Sequence, residues 1–102
     1  LDLVLTNRQL SAQEALNLGI VTRVVPDAEL LPQAEAIATQ LASGATKALG
    51  VSKRLLHRGW TETLETQMEQ ESQAITAMAR TSDANAAIAA FVEKRTAKFQ
   101  GR

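Results

Sequence analysis

Phe91 and Lys94 stand three residues apart near the end of the chain, in the run Ala90-Phe91-Val92-Glu93-Lys94-Arg95-Thr96-Ala97-Lys98-Phe99. At that spacing an aromatic ring and an ammonium group share one helix face. Such a face suits a flat heterocycle that carries phosphates, the ring taking the heterocycle and the cation the anion. A purely structural reading uses the same residues. Phe91 then anchors a core or an interface, and Lys94, Arg95 and Lys98 are the cations that favour a helix C-terminus through its dipole. Residue types alone leave both readings open.

The rest of the chain offers less chemistry. His57 is the sole histidine and there is no cysteine. His57 would thus be the sole base open to a catalytic triad within this sequence, a Cys-His set is excluded, and neither a disulfide framework nor a zinc knuckle is available. His57 lies in a cationic stretch and reads as a surface residue. Glu62, Glu65 and Glu69 recur at helical spacing with Glu71 nearby, while Lys47, Arg54 and Arg58 form a similar basic stripe just before them. Two helices packed antiparallel through the Gly59-Trp60 corner would let these stripes partly neutralise each other. Exposed ion pairs contribute only about 0–1 kcal/mol each, so a solvated acidic face is the expectation rather than a general acid/base dyad. Trp60 is expected to plug a gap where the helices turn. The five glycines are scattered and form no phosphate-cradling loop.

Composition sets the class. A chain of 102 residues predicts one small domain with a modest core. Eleven cations balance eleven anions, so no long-range field draws nucleic acid or an anionic membrane. Aromatics make up only 3%, which leaves no platform for stacking bases. No apolar run approaches the roughly 20 residues that span a bilayer. The first residues do not read as a signal peptide, and the lack of cysteine fits a cytoplasmic location. Opening at Leu1 without an initiator methionine, already inside regular structure, the sequence reads as part of something larger.

The elements that must position these residues are mostly helical. Leu1 to Leu10 reads as the tail of a helix or strand. Ser11-Ala12-Gln13-Glu14 is a capping box opening a short helix to Leu18, and Gly19 supplies a left-handed stop. Ile20 to Val25 is β-branched almost throughout and ends at Pro26, the one good strand candidate. A helix starting near Leu31 or Pro32 presents the stripe Leu30, Ala34, Ile37, Ala38 and Leu41. Another, from Ala45 to about Arg58, is expected to bury Ala45, Leu49, Ser52 and Leu56. The next, Glu62 to Arg80, carries Leu64, Met68, Ile75 and Met78 on one side. Thr81-Ser82-Asp83 caps a last helix whose Ala84, Ala87, Ile88 and Phe91 are expected to face inward.

Three stretches together resemble the C-terminal third of the crotonase superfamily, the enoyl-CoA hydratases and isomerases. The first is Arg8-Gln9-Leu10-Ser11-Ala12-Gln13-Glu14-Ala15-Leu16 with Gly19-Ile20-Val21 and Val24-Val25-Pro26. The second is Thr46-Lys47-Ala48-Leu49 through Ser52-Lys53-Arg54-Leu55-Leu56, and the third runs from Thr81-Ser82-Asp83 to Arg95, with Phe99 and Gly101. The sequence departs from the pattern at Ala45, Ile75 and Ala86-Ala87, where proline, an aromatic residue, and an acidic residue with glycine are common in the family.

The resemblance implies a mainly α fold: the C-terminal helical, trimerisation domain of a crotonase-like α/β spiral, with one short strand near the start. Residues 1–26 would end the core, and 27–102 would form the helical oligomerisation and CoA-covering domain. It implies a parent enzyme that hydrates 2-enoyl-CoA thioesters or shifts their double bond, with the thioester as substrate and no tightly bound cofactor. The oxyanion hole and the proton-moving carboxylates would lie upstream, so no residue here is assigned a catalytic role. Phe91 and Lys94 would lie beside the adenine and phosphates of coenzyme A, with Ile75 near the ligand. The implied partners are further copies of the chain, as a trimer or hexamer. The rival expectation is a helical protein-interaction module with no ligand.

Overall fold

A computed structural model describes residues 2–102. Six helices follow one another: α1 (Asp2–Thr6), α2 (Ala12–Asn17), α3 (Asp27–Ala42), α4 (Thr46–Arg58), α5 (Leu64–Ala79) and α6 (Ser82–Val92). The chain divides into two compact units, one reaching to Glu35 and the other comprising Ala36–Arg102.

In the first unit, short helices are held by their ends rather than by a core. Asn7 takes a left-handed conformation (φ 50°) after the single turn of α1, and Arg8 bridges Asp2 at 2.9 Å and Glu14 at 3.4 Å. The capping box forms as the sequence predicts. Ser11 Oγ accepts from the Glu14 N–H at 3.2 Å, and the Glu14 carboxylate accepts from the Ser11 N–H at 2.9 Å. Gly19 (φ 71°) ends α2 in a Schellman turn, its N–H donating to Leu16 and that of Ile20 to Ala15.

The Ser11 backbone N–H and then the Ser11 hydroxyl hold the Glu14 carboxyl below its ordinary value, against desolvation and with smaller help from Arg8. A depressed folded-state value means that the contribution to α2 is present above the unfolded carboxylate range and is lost as pH falls through the folded one. Titration followed by NMR is expected to show the Glu14 carboxyl protonating below free glutamate, with the Ser11 amide resonance moving in step. Independent titration of the two signals would show that the box does not close.

Ile20–Val25 does not form the expected strand, and none exists among the described residues. A strand satisfies its N–H and C=O groups through a neighbour, and β-branched composition alone supplies none. Helix α3 also starts earlier than expected, at Asp27. Asp27 and Glu29 favour its first turn, and Pro32 lies inside it. The missing N–H forfeits one bond, to the carbonyl four residues back. The apolar stripe of α3 is present but uncovered, with Leu30 and Leu41 both exposed.

In the second unit α5 returns alongside α4, and α6 packs on α5. The packed sides differ from those expected. Helix α4 turns Ala48, Val51 and Leu55 inward, leaving Leu49, Ser52 and Leu56 exposed; Ala45, just before it, is half-buried. Helix α5 turns in Gln67, Gln70, Ala74 and Met78, while Leu64, Met68 and Ile75 face out. In α6, Ala84 and Ala87 are half-buried as expected, but Ile88 and Phe91 are exposed and Ala90 is the buried apolar residue. Both helices of each pair carry more than one apolar stripe, and periodicity does not say which stripe meets its neighbour.

The charged stripes do not neutralise each other either. Among the described residues the salt bridges are those of Arg8 with Asp2 and Glu14 and of Arg95 with Glu93. Arg58 meets the Gln70 amide at 3.3 Å instead of a carboxylate. Trp60 plugs no gap: it is 89% exposed. The N–H groups of Thr61 and Glu62 both donate to the Arg58 carbonyl, and the tight corner leaves the indole outside.

Candidate functional site

The C-terminal segment is built around α6. Thr81 caps it, accepting from the Ala84 N–H at 3.1 Å and donating to the Met78 carbonyl at 2.7 Å. Asp83 does more than the cap motif suggests. Its carboxylate is 4% exposed and accepts from the Gln100 N–H at 2.7 Å and the Gly101 N–H at 2.8 Å. The Asp83 N–H donates in turn to the Arg102 carbonyl at 3.0 Å. One buried carboxylate thus folds the tail back onto the start of α6. Gly101 has a φ of 76°, and a Cβ there would lie 2.5 Å from Thr46 Oγ1. Any other residue at that point meets both strain and a clash.

At the other end, α6 closes in a second Schellman turn. The Lys94 N–H donates to Phe91 at 3.2 Å and the Arg95 N–H to Ala90 at 2.9 Å. The left-handed position that glycine favours is occupied here by Lys94, with φ 54°. That conformation costs a side-chain-bearing residue roughly 1–2 kcal/mol. Phe91 is 85% exposed beside it, and Lys94 is exposed and forms no ion pair among the described residues. The ring and the ammonium group are presented outward, with none of the described residues covering them.

Ile75 lies elsewhere. It lines an open groove of about 640 Å³ along α4, α5 and α6, together with Lys47, Ile88 and Phe99. Phe91 and Lys94 are not among the residues lining that groove, so the chain does not gather the three candidate ligand residues at one place. In the sequence Lys47 reads as one of a basic stripe and Phe99 as part of the chain's ending. The signal for either was weak, because only the return of the tail, set by Asp83, brings Phe99 to α4. The groove pairs a largely apolar surface with the Lys47 ammonium group and the Asp83 carboxylate, the latter engaged with the tail.

His57 is exposed, and among the described residues no group of three or more histidine, cysteine or acidic side chains is placed to hold a metal ion. No helix of the described residues is long and apolar enough to cross a membrane.

The family model for enoyl-CoA hydratase/isomerase matches residues 2–102. The chain belongs to that family. Among similar curated proteins, the short-chain-enoyl-CoA hydratase of Clostridium acetobutylicum is 37% identical over 98% of this chain and 38% of its own length. The 2,3-dehydroadipyl-CoA hydratase of Escherichia coli K12 is 34% identical over 98% of this chain and 39% of its own length. In structure, the enoyl-CoA hydratase of Bacillus anthracis superposes with a TM-score of 0.85 at 36% identity, over 93% of this chain and 37% of that one. The chain thus spans roughly two fifths of the length of the relatives it matches. The crotonase resemblance read from Arg8–Pro26, Thr46–Leu56 and Thr81–Gly101 holds, and the helical fold agrees with it.

Proposed function

We propose that the chain is the C-terminal helical part of an enzyme acting on 2-enoyl-CoA thioesters, by adding water across the double bond or by shifting it. The family match over residues 2–102 carries this reading. In it the chain supplies contacts to further copies of itself, as a trimer or hexamer, and part of the coenzyme A site. Phe91 lies against the adenine, Lys94 meets the phosphates and Ile75 lies near the ligand. The substrate is a coenzyme A thioester with no tightly bound cofactor, and the setting is cytoplasmic.

Two features support the division of labour. The first is exposure: Phe91, Ile75 and Ile88 are exposed apolar residues, as expected of surfaces covered by another chain or a ligand. The second is the left-handed Lys94, held at a place where glycine is less strained. Backbone strain of this kind clusters where a side chain must be aimed. The proton-moving groups are placed outside these residues.

The test is turnover of crotonyl-CoA. The intact protein is expected to hydrate it or to isomerise a 3-enoyl homologue, and the 102-residue chain alone is expected to do neither. Robust turnover by the isolated chain would overturn the assignment of chemistry to other segments. An intact protein inert to every enoyl thioester would favour an interaction role.

A further inference from the structure

We propose that the cleft between α4 and α5 binds a small organic anion, a carboxylate or phosphate carried on a short apolar body. The cleft has a volume of about 310 Å³. That is at the small end of ligand cavities, which run from about 300 to 1,000 Å³. Arg54 and Arg58, one turn apart on α4, form one wall, and Gln70 and Gln73 of α5 the other; Leu55 and Ala74 belong to the floor.

The walls carry two guanidinium groups and the Gln70 NH₂ as donors, while Gln73 donates to Glu69 and keeps its carbonyl oxygen as an acceptor. Neither arginine has a carboxylate within ion-pair distance among the described residues. The nearby acids of α5 are engaged along their own helix, Glu69 accepting from Gln73 at 3.0 Å and Glu71 from Gln67 at 2.7 Å. The Gln70 carbonyl oxygen accepts from Arg58 at 3.3 Å, which leaves its NH₂ group to donate. Two guanidinium forks and an amide donor above an apolar floor match a planar or tetrahedral anion that is apolar behind its charge. Phe91, Lys94 and Ile75 do not line this cleft, although it shares Val51, Leu55, Ala74 and Met78 with the groove that Ile75 lines.

Calorimetric titration of the intact protein with phenyl phosphate, benzoate and inorganic phosphate tests the inference. Saturable binding is expected, with at least one of the aromatic anions tighter than inorganic phosphate; the stronger of the two identifies the preferred head group. Arg54 makes no ion pair among the described residues, so Arg54→Gln breaks none. It is expected to weaken binding by about 10- to 100-fold. Arg54→Lys should lose much of the same affinity, because an ammonium group lacks the fork. Lys94→Ala should change nothing, which separates this site from the coenzyme A site. Absence of saturable binding sinks the proposal. So does equal weakening by Lys98→Gln, a cation outside the cleft lining, or loss of binding in Lys94→Ala.

Discussion

Replacing Asp83 by alanine is expected to release the C-terminal tail from α6 at a cost of about 2–4 kcal/mol. The two backbone N–H groups of Gln100 and Gly101 lose a charged acceptor that is almost fully buried. Hydrogen bonds to charged groups are worth about 1.5–3 kcal/mol each, and adjacent ones do not add fully. Amide hydrogen exchange reads the effect locally, since protection at Gln100 and Gly101 should collapse while that of α4 and α5 persists. Asp83→Asn keeps one acceptor oxygen and should fall between. Gly101→Ala attacks the same contact from the other side, through its positive φ and the closeness of Thr46 Oγ1. Adding Thr46→Ala should relieve the clash without relieving the strain. Unchanged protection in Asp83→Ala would show that the tail is held by something else.

At Lys94 stability and binding are expected to part company. Lys94→Ala and Lys94→Gly both remove the ammonium group, but only glycine relaxes the left-handed backbone at φ 54°. The glycine variant should therefore be more stable than the alanine variant by about 1 kcal/mol. Both should bind coenzyme A more weakly than the parent, by the roughly 1.5–3 kcal/mol of one charge-assisted phosphate contact. A residue that merely complements the helix dipole would give the same stability ranking and leave affinity untouched. Denaturant midpoints and coenzyme A titrations on one set of variants separate the two roles.

Much of the helical architecture was legible in the sequence. Ser11 with Glu14, and Gly19, announced the start and stop of α2, and Thr81 announced α6. These signals are local: a cap bonds within three residues, and a left-handed stop needs only its own backbone. The strand expected at Ile20–Val25 failed because a strand depends on a neighbour that composition cannot provide. Trp60 failed for a related reason, its burial depending on how Arg58, Thr61 and Glu62 close the corner.

Among the candidate ligand residues, the sequence pointed to Phe91 and Lys94 through their spacing, but not to the strain at Lys94. Lysine type says nothing about φ, and the left-handed turn follows from where α6 has to end.

Residue order alone determined the family, the number of major helices and the caps of α2 and α6, because short-range hydrogen bonds and helical periodicity are written within a few residues. Tertiary structure decided which stripe of each helix is packed. It turned Ala48, Val51 and Leu55 inward rather than Leu49 and Leu56, and it sent Asp83 to hold residues almost a full helix away. The physical reason is distance along the chain. A buried carboxylate finds its donors, and an apolar face its neighbour, only after the helices have been brought together in space.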